Sequence, residues 1–211
     1  MEHSVLISKW TALATKYTDD TAYVSFLWSE LERNYSSKKR HYHNLEHILE
    51  MLRLAAQFET ALVDYDVLCF AIWYHDLVYN ILRNDNESRS AKRASGRLNN
   101  LQLATNRIEN CAMLIRSTKN HEIILKENQD NAFLLDFDLY RLGTDSETYQ
   151  KHCANIRKEY MRYPDFIYFP KRKKILKQFL KRDFIYHTDY FREHYEENAR
   201  NNIKKELTKY D

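Results

Sequence analysis

The sequence predicts an all-α protein that folds as a single domain, on three observations. At 211 residues, the chain is long enough to bury a core and short enough to form one domain. Hydrophobic residues make up 44% of the sequence and aromatic residues 14%, which excludes an intrinsically disordered chain. The chain has only 2 Gly and 2 Pro, so it lacks the turn residues that hairpins and closely spaced strands require. Helices joined by short polar loops are therefore expected.

Apolar residues at helical spacing predict helices throughout the first part of the chain. The first of these helices, each with one apolar face, are expected over residues 5–13, 23–31 and 45–56. The next segment, 67–78, is apolar nearly all round, which is typical of a central helix shielded by its neighbours. His75 and Asp76 are expected inside this central helix.

The remaining helices are expected near residues 87–103, 105–118, 130–142, 146–161, 172–182 and 188–208. They are separated by polar joints at ILRNDN, KENQDN and GTDS and by the segment from Pro164 to Pro170. The sequence shows no internal repeat and no shift in composition that would mark a domain boundary. One domain over residues 1–211 is therefore expected.

Charge and cysteine content restrict the protein class and the compartment. The net charge of +3 is small beside 33 basic and 30 acidic residues, so the overall charge does not indicate a binder of nucleic acid or of membrane surfaces. Cys69, Cys111 and Cys153 are odd in number, far apart and set among apolar residues, which favours buried free thiols in a reducing compartment. With no signal-peptide pattern and no apolar run of about 18 residues, a cytoplasmic protein without a membrane partner is expected.

The segment RHYHNLEHILEML, residues 40–52, is unusually rich in histidine. His43 and His47 are four residues apart, so on a helix both imidazoles would project from the same face. This spacing permits a shared metal ion or a shared anion. Taken alone, a chance pair is the simpler interpretation.

A second unusual segment is AIWYHDLVYN, residues 71–80, in which His75 and Asp76 interrupt an apolar run. Burying these ionisable groups costs several kcal/mol unless each finds a partner. One interpretation is a histidine bonded to a backbone carbonyl beside an aspartate that caps a helix end. The other is a divalent cation that satisfies both side chains at once.

Acidic residues interrupt an apolar run again in AFLLDFDLYRLG, which contains Asp136 and Asp138. Because these aspartates are two residues apart, they point to different faces of a helix, and at most one is expected to share a site with His75. Glu87, in NDNESRSA, is by itself an ordinary helix-start acid, and His121, after RSTKN, an ordinary surface histidine.

The order His43, then His75 with Asp76, then Asp138 resembles the metal-binding signature of the HD phosphohydrolase superfamily. More narrowly, the chain is similar to a bacterial subfamily described as predicted metal-dependent HD-domain phosphohydrolases. The resemblance extends over residues 20–207, through RHYHNLEHI, AIWYHDLVYN, DNESRSA, STKNH, LLDFDLYRLG, KEYMRYPDFIYFPKRKKILKQFLKRDFIYHTDYF and EENARNN. It implies a helical HD-domain fold with a core over about 20–160 and C-terminal helices over about 170–208 packed on it.

The resemblance also implies a role for each matching residue. His43, His75, Asp76 and Asp138 would be the metal ligands, with His47 or Asp136 as alternatives to their neighbours. Asp76, Glu87 and His121 would be catalytic, and Arg40, His47 and Arg172 would bind substrate.

A ligand set of imidazoles and carboxylates suits Mn, Fe, Co, Ni or Zn, and Mg less well. Four protein ligands would leave positions for water and a phosphate oxygen, which predicts hydrolysis by metal-activated water. The predicted protein is therefore an enzyme, a metal-dependent hydrolase that acts on phosphate esters. Its predicted substrate is a small phosphorylated metabolite or a nucleotide.

Two other functions fit the same residues. The basic run KRKKILKQFLKR, residues 171–182, is by default the solvated face of an amphipathic helix, but it could also attract a polyanion. A module that binds a nucleotide or RNA without turnover is the first alternative, although a nucleic-acid partner is not favoured. The second is an iron-dependent oxygenase, since some relatives on the same scaffold have that activity.

Overall fold

The structure, a computed structural model, describes residues 2–210 and contains only helices within them. The all-α prediction is therefore confirmed. Two short 3-10 helices, Glu59–Ala61 and Tyr140–Gly143, accompany the α-helices. The α-helices are α1 Glu2–Ala14, α2 Thr21–Tyr35, α3 Leu45–Gln57, α4 Tyr65–Tyr74, α5 Asn86–Asn100, α6 Thr105–Ser117, α7 Asp130–Leu139, α8 Ser146–Glu159, α9 Asp165–Leu180 and α10 Asp189–Leu207.

The chain divides into two compact units, one that ends at Leu134 and one that begins at Leu135. The first unit contains α1 to α6, the second contains α8 to α10, and the boundary falls within α7. That the whole chain forms one domain stays a prediction. Within residues 2–210, no helix is both long enough and apolar enough to cross a membrane.

Helix α4 lies at the centre of the first unit. Every residue from Val67 to Tyr74 is buried, and α4 packs against α3, α5 and α6. The indole of Trp10, from α1, meets the rings of Phe70 and Trp73 at centroid distances of 6.1 and 5.7 Å. A helix that is apolar nearly all round needs neighbours on every side, so the prediction of a central helix is confirmed.

Helix α4 is shorter than its apolar run predicts. It ends at Tyr74, His75 caps its C-terminus, and Asp76 lies in the following turn, so the prediction that both residues lie inside the helix is wrong. Arg40 donates to the backbone oxygens of Asp76 and Leu77, which gives these carbonyls a partner outside any helix. Carbonyls beyond a helix end have no donor within the helix, and here a side chain supplies the donors.

Helix α3 begins at Leu45, as the apolar spacing predicted. Its N-cap is Asn44, whose side chain accepts from the backbone N–H groups of Glu46 and His47 at 2.9 and 3.3 Å. An asparagine at this position is among the strongest helix starts. His43 therefore lies in the turn before the helix and His47 in its first turn, so the two residues do not share one helix face as their spacing would permit.

The second unit is built on α10, which packs against α9 and against the 3-10 helix Tyr140–Gly143. Helix α9 begins at Asp165, seven residues before the predicted start, and it includes Pro170. Pro170 cannot donate to the carbonyl of Phe166, but both residues are exposed, so water can hydrate that carbonyl. The prediction of a joint from Pro164 to Pro170 is therefore wrong beyond Pro164.

Each cysteine is a free thiol, as predicted. Cys69 and Cys111 are buried, whereas Cys153 is half-buried. Burial raises the pKa of the Cys69 thiol to about 12, so that the neutral thiol dominates at neutral pH. A protonated, enclosed thiol is a poor nucleophile, and Cys69 is therefore a packing residue of the first unit.

Candidate metal centre

His47 is placed by the start of α3. The Asn44 cap fixes the first turn of the helix, and His47 lies within that turn with a side chain only 3% exposed. Its Nε2 atom is buried. The ring of His47 lies 5.4 Å from the ring of His75, centroid to centroid. The helix start therefore brings an imidazole from α3 against the end of α4.

His75 is held in one tautomer by its own helix. Its Nδ1 lies 2.9 Å from the carbonyl oxygen of Ile72, and the side chain is only 1% exposed. Since a carbonyl oxygen can only accept, Nδ1 carries the proton and donates. The Nε2 atom of the neutral ring then presents its lone pair, as in metal-binding histidines whose other nitrogen is bonded to a carbonyl.

Asp76 lies beside His47 and His75, and the three residues form a group of potential metal ligands. Its Oδ2 lies 3.1 Å from Nε2 of His75 and 3.9 Å from Nε2 of His43. His47, His75 and Asp76 each offer an atom within 4.8 Å of the others, and this is a group that could hold a metal ion. His47, His75 and Asp76 could therefore hold the predicted divalent metal ion, and that His43 and Asp138 are ligands stays a prediction.

Aromatic rings enclose the histidines. The ring of Tyr79 lies 4.4 Å from that of His43, and the ring of Tyr42 lies 4.9 Å from His43 and 4.8 Å from His47. The side chain of His43 is 19% exposed and that of Asp76 is 14% exposed. One side of the group is therefore open to solvent, while tyrosine rings restrict the rotation of His43.

The segment that follows Asp76 is anchored to α5. The backbone N–H of Val78 donates to Oγ of Ser90 at 3.0 Å, and the N–H of Asn80 donates to Oδ1 of Asn86 at 3.1 Å. Asn86 returns a hydrogen bond from Nδ2 to the Asn80 carbonyl at 3.0 Å. These bonds fix the path of the chain after Asp76 and thereby restrict where its carboxylate can lie.

Of the predicted substrate-binding residues, Arg40 lies beside this group and Arg172 does not belong to it. Arg40 donates to backbone carbonyls of His43 and Asp76. Arg172 lies in the second unit, where its guanidinium donates to the carboxylate of Glu206 at 2.8 and 3.1 Å. That either arginine binds substrate stays a prediction.

The paired aspartates of α7 have separate environments in the second unit. Both oxygens of Asp136 accept hydrogen bonds, from the N–H of His187 at 2.7 Å and from the N–H and Oγ1 of Thr188 at 2.8 and 2.7 Å. Burial raises the pKa of Asp136 to about 7 in spite of these donors. Asp136 therefore holds the start of α10, whereas Asp138 is half-buried on another face of α7, and its role as a ligand stays a prediction.

Glu87 and His121, which are also predicted to be catalytic, lie on other parts of the first unit. Glu87 is half-buried in the first turn of α5, as its helix-start pattern predicted. His121 follows α6 and has a backbone φ of 51°, in the left-handed region. Within residues 2–210, neither belongs to the group of mutually close ligand atoms. Their catalytic roles stay predictions.

The spacing of residues in the sequence did not identify the aromatic residues and the helix-cap residue that shape this site. Tyr42 and Tyr79 occur within the two histidine segments, but nothing in their spacing indicated contact with His43. Asn44 could have been recognised, since an asparagine before an apolar periodic run is a helix-start signal. That signal agrees with the helix predicted from residue 45, which already leaves His43 outside α3.

Comparison with known proteins identifies no related protein. No protein-family model, no curated protein and no solved structure matches this chain. The functional argument therefore depends on the geometry of His47, His75 and Asp76. Two neutral imidazoles and one carboxylate are a donor set that Zn, Fe, Mn, Co and Ni accept, so the residues present fit a divalent metal ion.

Proposed function

We propose that this protein is a metal-dependent phosphohydrolase whose metal ion is held by His47, His75 and Asp76. The observation that carries the proposal is the convergence of their ligand atoms within 4.8 Å. His75 Nε2 and Asp76 Oδ2, which lie 3.1 Å apart, both carry lone pairs when Nδ1 of His75 is the protonated nitrogen. A shared cation would bind both lone pairs at once.

The half-open side of the group supports a reaction with a bound phosphate ester. A divalent ion held there would lower the pKa of a water molecule and polarise a phosphoryl oxygen. Asp76 would bind through one carboxylate oxygen and orient the attacking water with the other. His43, whose Nε2 lies 3.9 Å from Oδ2 of Asp76, is the proposed carrier of a proton at that carboxylate.

The proposed substrate is a small phosphorylated metabolite or a nucleotide. We keep Glu87 and His121 as proposed proton carriers. The resemblance of RHYHNLEHI, AIWYHDLVYN, DNESRSA and STKNH to HD phosphohydrolases supports these assignments.

The deciding experiment measures metal content and hydrolysis on the same samples. Wild-type protein, His75→Gln and Asp76→Asn are purified without chelator and analysed by mass spectrometry for bound metals. Each is then assayed on a phosphomonoester, a phosphodiester and a panel of nucleotides. His152→Gln is the matched control, because His152 is also buried and belongs to the second unit.

We expect near-stoichiometric metal in the wild type and in the control, loss of metal in the two ligand variants, and loss of hydrolysis in step. A folded wild-type protein that stays metal-free and inactive after Mn, Fe, Co, Ni, Zn or Mg is added would overturn the proposal. Equal metal content in all variants would overturn the ligand assignment.

An exposed row of lysines on α9 favours a second candidate function, the binding of nucleotides or RNA without turnover. Lys171, Lys174, Lys177 and Lys181 are exposed, and their spacing of three and four residues puts them on one side of the helix over about 15 Å. None of them makes an ion pair within the described part of the chain. A row of cations without counter-charges is complementary to a phosphate backbone.

This second function is tested by the fluorescence anisotropy of a labelled single-stranded RNA in low and moderate salt. With four phosphate contacts, affinity should fall about 50-fold between 50 and 200 mM salt. Replacing the four lysines by glutamate should abolish binding. The matched control replaces the exposed lysines Lys92, Lys119, Lys126 and Lys158 by glutamate. Binding that both variants lose equally would show only general attraction to charge.

The ligand composition also bears on the iron-oxygenase alternative. A set of two histidines and one carboxylate with open positions is the one that non-haem iron oxygenases use. The metal analysis decides this alternative. Iron as the bound metal, together with oxygen consumption and no phosphate release, would favour it over hydrolysis.

A further inference from the structure

Arg40 lies half-buried between two tyrosine rings in the first unit. Its guanidinium carbon is 4.8 Å from the ring centroid of Tyr35 and 5.4 Å from that of Tyr79. A planar guanidinium stacks favourably on aromatic faces. Tyr35 is itself buried at the end of α2 and donates from its hydroxyl to the Trp73 carbonyl at 3.0 Å, so that this ring is fixed in place.

The N–H groups of the guanidinium are directed at backbone carbonyls around the candidate metal centre. Nη1 donates to the carbonyl oxygen of His43 at 3.1 Å and to that of Asp76 at 2.7 Å. Nη2 donates to the carbonyl oxygen of Leu77 at 2.9 Å. Arg40 and Asp76 are 36 residues apart in sequence, so the guanidinium joins two distant segments of the chain.

One of the two joined segments carries the proposed ligand Asp76, and the other carries His43 beside it. His43 belongs to the turn before α3, and Asp76 belongs to the turn after α4. Their side chains meet at 3.9 Å, between Nε2 of His43 and Oδ2 of Asp76. A single side chain therefore sets the backbone position on both sides of this contact. Without it, three carbonyls would lose a charged donor, and the two turns would no longer be tied to each other.

We propose that Arg40 is a positioning residue that holds the turn of His43 against the turn of Asp76 and so sets the geometry of the metal centre. This inference rests on the proposed function, because it assumes a metal ion at His47, His75 and Asp76. Residues that orient metal ligands through hydrogen bonds typically change metal affinity 10- to 100-fold when they are removed. Lysine cannot replace arginine here, since it lacks the planar fork and the stacking surface.

The test is a titration of the metal-free protein with Co²⁺, followed by visible absorption and calorimetry. The absorption of bound Co²⁺ reports the geometry of its ligands, and calorimetry reports the affinity. The variants are Arg40→Ala and Arg40→Lys. We expect at least tenfold weaker binding in both, with an altered absorption spectrum for the metal that still binds.

Arg107→Ala is the matched control. Arg107 lies in the same unit, donates to the carboxylate of Asp64 through Nε at 2.7 Å and Nη2 at 2.8 Å, and covers the ring of Tyr17 at 5.2 Å. Its removal therefore also deletes a guanidinium with several hydrogen bonds and an aromatic contact. We expect lower stability but Co²⁺ affinity within twofold of the wild type.

Guanidinium ions added at a non-denaturing concentration provide a second readout. They should restore Co²⁺ affinity to Arg40→Ala by filling the vacated position, and they should leave Arg40→Lys and the control unchanged. If Arg40→Ala does not fold, the inference is tested with Arg40→Lys alone. A Co²⁺ affinity equal to that of the wild type in Arg40→Lys would then overturn the inference.

The outcomes separate this inference from the proposed function. A wild-type protein that binds no Co²⁺ overturns both. A wild-type protein that binds Co²⁺, together with an Arg40→Ala variant of equal affinity and identical spectrum, overturns the positioning role alone and leaves the metal centre in place. Equal weakening by Arg40→Ala and Arg107→Ala would show a general effect of lost stability and would also overturn the positioning role.

Discussion

Nε of Arg172 donates a hydrogen bond to Oε1 of Glu206 at 2.8 Å, and both side chains are buried, with 12% and 4% of their surface exposed. The same carboxylate accepts hydrogen bonds from the hydroxyls of Tyr149 and Tyr210. Because Tyr149 belongs to α8, Arg172 to α9 and Glu206 to α10, the ion pair and the Tyr149 hydrogen bond together link three helices of the second unit.

Glu206→Gln should lower the free energy of unfolding by about 3 to 5 kcal/mol, because it leaves the Arg172 charge buried without a counter-charge. Urea unfolding followed by circular dichroism measures this loss. Glu147→Gln is the control, since it removes an exposed ion pair with Lys151, and it should have no measurable effect. A loss below about 1 kcal/mol in Glu206→Gln would show that the pair does not stabilise the second unit.

The same ion pair predicts a pH dependence of stability. Burial alone would raise the pKa of Glu206, but the hydrogen bonds and charge of Arg172 lower it from an ordinary value of 4.5 to about 2. A carboxyl with a lowered pKa stabilises the fold above its unfolded pKa, and that contribution is lost as the pH falls through the folded pKa. The loss amounts to roughly 3 kcal/mol.

The pH prediction is checked on the difference between two proteins. The gap in free energy of unfolding between wild type and Glu206→Gln should be complete at neutral pH and should narrow as the pH falls from about 4.5 towards 2. Urea unfolding at a series of pH values measures it. A gap that is constant down to pH 3, or that widens in acid, would show that Arg172 does not hold the Glu206 pKa low.

The fold class and the order of the helices could be predicted because apolar spacing and the scarcity of Gly and Pro are signals present in the sequence itself. The end of α4, beside the candidate site, could not be predicted from the sequence. Helix α4 ends at Tyr74, inside an apolar run, and Arg40, from a distant segment, donates to the carbonyls of Asp76 and Leu77 in the turn that follows. A contact between residues 36 apart leaves no periodic trace in the sequence.

The candidate site could be predicted in part for the same reason. An ionisable His75 and Asp76 in an apolar run indicated a site, because burial without a partner is costly. The choice between His43 and His47 depended on where α3 begins, and therefore on the Asn44 cap. The separate roles of the α7 aspartates depended on the loop before α10, which no spacing within α7 could indicate.

Gly143→Ala should destabilise the second unit by about 1 to 3 kcal/mol, through overpacking. A Cβ at position 143 would lie 2.6 Å from Cβ of Tyr195, 2.7 Å from the hydroxyl oxygen of Tyr186 and 2.7 Å from the Tyr195 carbonyl oxygen. Tyr186 is buried, and the Tyr195 carbonyl is backbone, so neither can move aside at low cost. Thermal unfolding of the variant measures the loss.

Gly96→Ala is the matched control, because Gly96 lies exposed within α5 and a Cβ there would meet nothing within 4 Å. Alanine is the better helix former, so this variant should be more stable by about 0.5 to 1 kcal/mol. Opposite signs for the two substitutions support the packing described around Tyr195. A stabilising Gly143→Ala would show that the 3-10 helix lies farther from α10.

The last prediction separates the two histidines of the RHYHNLEHI segment. His47→Gln should abolish stoichiometric metal binding, because His47 offers an atom within 4.8 Å of both His75 and Asp76. His43→Gln should retain the metal and lower the rate of hydrolysis, since His43 is assigned to proton movement beside Asp76. Metal analysis and steady-state kinetics on both variants measure this. Metal loss in His43→Gln, with metal retained in His47→Gln, would instead favour the ligand set that the sequence resemblance implied.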